Sequence, residues 1–279
     1  MTHAIETSVK ADLSGDRGFA LASVLVLAIL ISLLALTLMT LSRLLAIEGS
    51  AIATEARARG SAEAGLNRAI LAFARQGDAL RETLIPDGRA VEWEFHEATL
   101  ILRAQAESGK LDVNAGDRAH IAALMERVVE GQDRRFQILA RLDDARQRGG
   151  GIRSLAELLP PFDRMTGLLD VFTRYFTVLT DQRGIDPATA PAVIVETLPG
   201  LSGDVQQRIL EARATGRALP FVDIPAVVAQ NFAAQRPIYR FSARVRSNGD
   251  RIMAMAATVG FSEQTGISVY AWGRTTPEE

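Results

Sequence analysis

The longest stretch of the chain without a charged residue lies near its N-terminus, between Phe19 and Ser42. It is rich in Leu, Ile, Val and Ala. At about 1.5 Å per helical residue, a run of this length covers the roughly 30 Å hydrocarbon core of a bilayer. A secretory signal usually has a shorter apolar core of about 7 to 15 residues, followed by a cleavage motif of small residues. The pattern therefore predicts a membrane-spanning helix that stays on the mature protein.

The helical pattern continues beyond the apolar run. Leu66, Ile70 and Phe73 follow one another at helical spacing, with charged residues in between. This spacing predicts a single long helix over residues 19–75, with an apolar first half and an amphipathic second half. Gly49 is the first of three glycines that weaken the helix. The alternative is a membrane helix that breaks near Gly49 and a separate surface helix.

Two regions of alternating hydrophobic and polar residues predict β-strands. The first region predicts two strands, at residues 91–95 and 100–104. The second region predicts three strands, at residues 239–245, 251–261 and 267–274. Residues 247–250, Ser-Asn-Gly-Asp, contain the Asn-Gly pair that suits a two-residue hairpin. We therefore predict an α+β protein in which a long N-terminal hydrophobic helix lies on an antiparallel sheet and a large all-helical insertion separates the strands.

The residues between the two strand regions predict helices, and residues 197–217 resemble a helix-hairpin-helix element. Helix-hairpin-helix elements often bind DNA by offering backbone N–H groups to phosphates. Between Val193 and Arg236 the chain carries four Arg, four acidic residues and no Lys, whereas phosphate binding calls for a positive excess. We therefore interpret the hairpin as a packing element and expect no nucleic acid partner.

Composition argues for a structural role rather than a catalytic one. The chain has 279 residues, 48% of them hydrophobic, a formal net charge of -2 and no Cys. Disulfide frameworks, thiolate zinc sites and Cys nucleophiles are therefore excluded. The three histidines, His3, His96 and His120, are far apart, and no zinc-protease, nucleophile-elbow or phosphate-loop motif is present. We predict that the protein is not an enzyme.

One group of oxygen-bearing side chains could serve a cation. Asp112, Asn114 and Asp117 could supply ligands to Ca²⁺, although their spacing lacks the EF-hand pattern. The competing interpretation makes Asn114 and Asp117 turn and cap residues that open a helical region. No cofactor is required by the sequence, and calcium is the one candidate.

The residues where the polar N-terminal segment meets the apolar run resemble those of a known protein family. Gly18 and Phe19 mark this border, and the arrangement resembles the leader of type IV prepilins and type II secretion pseudopilins. The resemblance implies cleavage after Gly18 by a dedicated prepilin peptidase and methylation of the new N-terminal Phe19. Most members carry Glu at the fifth mature position, where this chain has Ser23. One pseudopilin type usually lacks that Glu.

A second stretch resembles that type, general secretion pathway protein K, the large minor pseudopilin of type II secretion. The family typically has an acidic-Ser-Gly-Lys-aliphatic-x-aliphatic-Asn stretch after its first strands, and the matching residues here are Glu107, Ser108, Gly109, Lys110, Leu111, Val113 and Asn114. The resemblance implies six segments: a leader (1–18), a membrane or filament-core helix (19–42), its amphipathic continuation (43–75), the first strands of a pilin-like domain (76–115), a helical insertion (116–236) and the closing strands (237–279).

The resemblance also implies a place in the cell and a set of partners. The protein would sit in the inner membrane of a Gram-negative bacterium with a single span and its C-terminal domain in the periplasm. It would start a short filament at its tip and support protein export across the outer membrane. Its partners would be other minor pseudopilins, the major pseudopilin, the inner-membrane secretion platform and the prepilin peptidase.

Three other interpretations stay open on the sequence alone. A membrane-anchored DNA receptor of the competence type also joins one span to a helix-hairpin-helix, but it predicts a basic hairpin and needs no C-terminal sheet. A minor pilin of a type IV pilus would share the same leader. The third interpretation is an ordinary anchored periplasmic domain.

Overall fold

A computed structural model describes residues 14–96, 98–161, 163, 167–214, 232–233, 236–246 and 252–275, with side chains from residue 21 onwards apart from those of 246 and 252. The helices are α1 (Ser14–Ala74), α2 (Ala79–Thr83), α3 (Arg118–Val128), α4 (Gln132–Gln147), α5 (Leu168–Tyr175), α6 (Ala192–Glu196) and α7 (Gly203–Ala214). The strands are β1 (Asp87–Phe95), β2 (Ala98–Ala106), β3 (Leu111–Asp112), β4 (Phe176–Thr177), β5 (Ile238–Arg246), β6 (Ile252–Ser262) and β7 (Gly266–Arg274).

The predicted long helix is confirmed, since α1 is continuous through Gly49. The chain divides into two compact units, residues 1–55 and 56–279. In the second unit, one face of α1 is buried against the sheet. Its buried residues recur at steps of three or four, as expected for one helical face: Ala58, Ala62, Leu66, Ala69, Ile70, Ala72 and Phe73.

Aromatic contacts fix the last turns of α1 on the sheet. The Phe73 ring meets Tyr239 and Phe241 edge-on, with centroids 4.8 and 5.0 Å apart. Arg81 of α2 lies over the Phe73 ring, 5.0 Å from its centroid, and donates to the Phe73 carbonyl oxygen at 2.8 Å. Each edge-on pair of aromatic rings stabilises a fold by about 0.5–1.5 kcal/mol beyond the contribution of its buried area. The end of α1 is therefore held by both the sheet and α2.

A glycine lets α1 approach the sheet closely. A Cβ atom at Gly65 would lie 2.7 Å from Leu100 Cδ2 and 3.2 Å from Ala243 Cβ, whereas a Cβ atom at Gly60 meets nothing within 4 Å. We expect Gly65→Ala to lower the free energy of unfolding by about 1–3 kcal/mol through overpacking. Gly60→Ala, the matched control, should raise it by about 0.5–1 kcal/mol because Ala favours the helix.

Denaturant unfolding of the full chain in detergent, followed by tryptophan fluorescence, measures both changes. Equal effects of the two substitutions would show that α1 does not rest on the sheet through Gly65.

The five long strands form one antiparallel sheet in the order β1-β2-β5-β6-β7. All five strands were predicted, and the alternation is confirmed for β2 and β5: Leu100 and Leu102 of β2 and Phe241 of β5 face α1. Because β2 and β5 are hydrogen-bonded neighbours, with Ala106 opposite Tyr239, the chain leaves and re-enters the sheet at one point. The whole region between them can therefore be inserted without disturbing the ladder.

The inserted region has a hydrophobic core of its own, built mainly from α3 to α7. Leu111 and Val113, which precede the predicted start of the insertion, also belong to this core. Two short parallel strands of two residues each, β3 and β4, connect the beginning of the inserted region to its middle. Ser154 begins a short 3₁₀ turn, Leu155–Glu157, and its side chain accepts from Ala156 N. The predicted hairpin at residues 247–250 lies outside the described residues.

Candidate functional site

The apolar half of α1 exposes large hydrophobic side chains all around the helix. Eighteen large apolar residues lie between Leu21 and Ile52, and each is more than half exposed. Among the described residues, α1 alone is long and apolar enough to cross a membrane by length and composition, with a mean hydropathy of 2.8 over its most apolar window. A helix that is apolar all round requires an apolar environment, either lipid or other apolar helices.

The hydroxyl groups in this half of α1 are satisfied within the helix. Ser32 donates to the Ala28 carbonyl oxygen at 2.8 Å, Thr37 to that of Leu34 at 2.8 Å, and Ser42 to that of Met39 at 3.0 Å. A hydroxyl without a partner is costly in hydrocarbon. These local bonds let the helix carry Ser and Thr in an apolar environment.

The predicted processing junction lies inside α1. Gly18 and Phe19 belong to the helix, which begins at Ser14, and Ser23 is exposed one turn further on. Helix ends fray easily, so a peptidase would need only the first turns to unwind. Cleavage after Gly18 and the filament role of Ser23 stay predictions.

The second candidate site is the stretch Glu107–Asn114, which directly follows β2. Its first three residues form a 3₁₀ turn, and Lys110 Nζ donates to Glu107 Oε1 at 2.5 Å. The two side chains are only 1% and 5% exposed. Removing both charges from water costs several kcal/mol per ion, which the close pair offsets. The stretch Glu107–Asn114 therefore contains a buried ion pair.

Ser108 and Gly109 touch a distant loop through backbone atoms. The Ser108 carbonyl oxygen accepts from Asp186 N at 2.7 Å. A Cβ atom at Gly109 would lie 2.7 Å from the Thr189 carbonyl and 2.8 Å from Ala190 N. Backbone atoms cannot move aside as the end of a side chain can, so Gly is required at this position.

Asp112 is buried, and its carboxylate joins two parts of the helical region. Oδ1 accepts from Asn114 N at 2.8 Å and Ala115 N at 3.2 Å. Oδ2 accepts from Thr180 N at 3.1 Å, Thr180 Oγ1 at 3.0 Å and Asp181 N at 2.8 Å. Five donors therefore surround one carboxylate, in the arrangement that satisfies a buried negative charge.

Asn114 and Asp117 act through hydrogen bonds to the backbone. The Asn114 side chain donates to the Ile152 carbonyl oxygen at 2.9 Å and accepts from Ile152 N at 2.7 Å. Asp117 is the N-cap of α3, accepting from Ala119 N and His120 N, which lowers the pKa of its carboxyl. The predicted cap is confirmed for Asp117, whereas the side chain of Asn114 joins a distant loop.

The candidate calcium ligands are thus already engaged with N–H and O–H donors. Asp112 would have to release its donors in order to bind a cation. Within the described ranges, no three His, Cys, Asp or Glu side chains are grouped so as to hold a metal ion. The calcium site stays a prediction.

Sequence reasoning missed the residues on the far side of this stretch. Thr180, Asp186 and Thr189 lie in an irregular segment without hydrophobic periodicity, roughly 70 to 80 residues along the chain from their partners. Arg146 of α4 was missed as well: its guanidinium donates to the carbonyl oxygens of Val113 and Gly116 at 2.7–3.0 Å. Burial lowers the pKa of Arg146. Together these contacts tie Glu107–Asn114 to the helical region.

The predicted helix-hairpin-helix forms as α6, a tight turn and α7. Gly200 in the turn has φ +78°, and Val205 and Ile209 of α7 are buried in the core of the helical region. Gln206 Nε2 donates back to the Glu196 carbonyl oxygen at 3.0 Å. The buried apolar face agrees with the packing role predicted for the hairpin, and the absence of a nucleic acid partner stays a prediction.

His120 on α3 gives the helical region a pH dependence. Burial lowers the pKa of His120 to about 4, against weaker upward contributions from the Ile194 carbonyl group and Asp117. An unfolded histidine titrates near 6.5, so the unfolded chain binds one more proton between these values. We expect the free energy of unfolding to fall by roughly 3 kcal/mol from pH 6.5 to pH 4.

Unfolding of the full chain at several pH values measures this change. His120→Gln should remove that part of the slope. An identical slope in wild type and variant would show that other groups cause the acid sensitivity.

No family model matches the chain, and no curated protein matches it. The protein is similar in structure to a chain in the crystal structure of the GspK-GspI-GspJ complex, from the type 2 secretion system of enterotoxigenic Escherichia coli. The similarity covers 85% of the present protein and 99% of the crystallised chain, with 11% sequence identity and a TM-score of 0.48. This similarity is too distant to carry an argument about function.

Proposed function

We propose that the protein is a minor pseudopilin of type II secretion, inserted by α1 into the inner membrane and then into a short filament. The observation that carries the proposal is the apolar half of α1, exposed on all sides and beginning at the Gly18-Phe19 border. Such a surface suits lipid before assembly and neighbouring helices after it. The other half of the same helix rests on an antiparallel sheet.

The proposal assigns a mechanical role and a set of partners. The chain binds other minor pseudopilins, the major pseudopilin and the inner-membrane platform, and it is a substrate of the prepilin peptidase. It performs no catalysis itself, and its C-terminal part lies in the periplasm of a Gram-negative cell. Assembly of the filament supports the export of folded proteins across the outer membrane.

Two features support a place at the tip of the filament. Glu at the fifth mature position of other pseudopilins is thought to pair with the N-terminal amine of a neighbouring subunit, and burying those charges is tolerable only as a pair. Ser23 cannot supply this pair. The helical region between β2 and β5 adds bulk, which a subunit tolerates best where no further subunit is added above it.

Processing at Gly18 is the first test. In cells that contain the prepilin peptidase, we expect Gly18→Val to leave the chain uncut, because the peptidase requires a small residue before the cleaved bond. Gly15→Val is the matched control, with the same change three residues upstream, and should be cut normally. Gel mobility and mass of the membrane-bound protein distinguish the two forms. Normal cleavage of Gly18→Val would contradict the assigned junction.

The tip position has a separate test, for which the chain is well suited because it contains no Cys. A single Cys at Leu27, in the exposed apolar half of α1, reports on the neighbouring helices through disulfide formation. We expect cross-links to other minor pseudopilins that carry a matching Cys, and none between two copies of this chain. Abundant self-cross-links would place the protein along the filament and would contradict the tip position.

A further inference from the structure

The last strand of the sheet, β7, is an outer strand with exposed apolar side chains. Its hydrogen-bonded neighbour on one side is β6, and no described strand pairs with it on the other side. The outer edge of such a strand carries backbone N–H and C=O groups that pair readily with another extended chain. Four large side chains of β7 are between 43% and 57% exposed: Ile267, Val269, Tyr270 and Trp272. The strand therefore offers main-chain hydrogen-bonding groups together with apolar surface.

Three of these side chains lie on the face of the sheet that α1 covers. Ile267, Val269 and Trp272 are directly opposite residues of β6 that belong to, or pack against, the core beneath α1. Directly opposite residues of an antiparallel pair point to the same face. Because the three side chains are nevertheless exposed, the apolar face of the sheet continues past the part that α1 covers.

A recess of about 860 Å³ lies beside the first half of β7. Its apolar wall comes from the end of α1 and from the last two strands: Phe73, Phe261, Ile267 and Tyr270. Among the described residues, the charged groups that line it are Arg236 and Glu263. Their charges are opposite, so the recess has no net charge. An uncharged side chain therefore fits it better than a charged one, which would lose water without gaining a partner.

The two outer strands of the sheet differ in charge. On β1, Arg89, Glu92 and Glu94 are exposed, and charged side chains on an outer strand discourage pairing with another chain. On β7, the chain carries no charged residue from Gly266 to Gly273. Of the two edges, that of β7 therefore suits a further strand, and the strand that matches it is uncharged.

We propose that β7 binds an extended, uncharged segment of a partner protein, which joins the sheet as a sixth strand. Main-chain hydrogen bonds hold the segment, and its alternate apolar side chains lie beside Val269 and Trp272. A large apolar side chain of the segment occupies the recess near Ile267. The pairing of β7 with β6 shifts register at Tyr270, so the added strand follows the bend of this bulge. This site is independent of the membrane and filament role proposed above.

Binding of a labelled peptide to the full chain in detergent tests the site. The probe is a dye-labelled peptide, Thr-Val-Thr-Phe-Thr-Val, with a polyethylene glycol tail for solubility. Its control has the same sequence with every backbone amide N-methylated, which keeps the side chains and removes the backbone donors. Fluorescence anisotropy measures binding, with empty micelles as the blank. We expect saturable binding of the probe and at least about tenfold weaker binding of the methylated peptide, because the main-chain hydrogen bonds are lost.

Variants of the chain place the bound peptide on β7. Val269→Lys should weaken binding of the probe at least about tenfold, because pairing would remove an unpartnered charge from water. Ile267→Lys is a second variant in case the first fails to fold, which its unfolding midpoint without the probe reveals. Thr99→Lys is the matched control, since Thr99 is an exposed residue of another strand, β2, and it should bind the probe as wild type does. Amide hydrogen exchange of residues 266–274 should slow when the probe is bound.

Four results would overturn the proposal. The first is the absence of saturable binding of the probe. The second is equal binding of the N-methylated peptide, which would show apolar contact without strand pairing. The third is an equal loss of affinity in Thr99→Lys. The fourth is a dimer of the full chain alone, seen by sedimentation and abolished in folded Val269→Lys, which would make a second copy the occupant of β7 instead of a partner protein.

Discussion

Replacing Lys110 with methionine should lower the free energy of unfolding of the full chain by about 3–5 kcal/mol, because Glu107 is left buried without its partner. Lys110 is 1% exposed and Glu107 is 5% exposed, with 2.5 Å between Nζ and Oε1. Glu107→Gln should cost a similar amount by removing the carboxylate that pairs with the buried ammonium group of Lys110. The double variant Glu107→Leu with Lys110→Met should recover most of the loss, since it removes both buried charges.

An exposed ion pair of equal length is the matched control for this experiment. Arg148 Nη2 and Asp144 Oδ2 are also 2.5 Å apart, but their side chains are 70% and 63% exposed. Asp144→Asn should change the free energy of unfolding by less than about 1 kcal/mol. Similar losses for Lys110→Met and Asp144→Asn would show that burial of the Lys110 pair contributes nothing.

Asp112→Asn should destabilise the protein by about 3 kcal/mol or more. The carboxylate accepts five hydrogen bonds, three of them from Thr180 and Asp181. An amide at this position loses the charge and turns an N–H group towards other donors, so buried groups are left unsatisfied. The same experiment, denaturant unfolding followed by tryptophan fluorescence, measures the loss.

The control is the same substitution five residues along the chain. Asp117 caps α3, and Asn is as good an N-cap as Asp, so Asp117→Asn should cost about 1 kcal/mol or less. If Asp112→Asn proved equally mild, the carboxylate would not be what joins Glu107–Asn114 to residues 180–181.

The long elements were predictable from the sequence because each has a regular period. The helix α1 was predicted within a few residues of its observed end at Ala74, since Leu66, Ile70 and Phe73 repeat at helical spacing and are buried on one face. The strands β2 and β5 were predicted by their period of two. Asp117 was predictable as a cap because capping depends only on neighbouring residues.

The contacts of Glu107–Asn114 could not be predicted, because they depend on tertiary structure. The partners of Gly109 and Asp112 lie in a segment with no period of its own. The pair β3–β4 has only two residues in each strand, too few to show alternation. Arg103, Arg240 and Arg244 appeared in the sequence only as polar positions of β2 and β5, and the fold of the insertion decides what lies above them.

The most direct test of the central claim is the N-terminus of the mature wild-type protein. Intact mass and N-terminal analysis should be carried out on protein from native membranes, with and without the prepilin peptidase. The proposed function predicts a chain that begins at N-methylated Phe19 when the peptidase is present and an uncut chain when it is absent. A chain that begins at Met1 in the presence of the peptidase, or one cleaved beyond Ser42, would contradict the assignment to the pseudopilins.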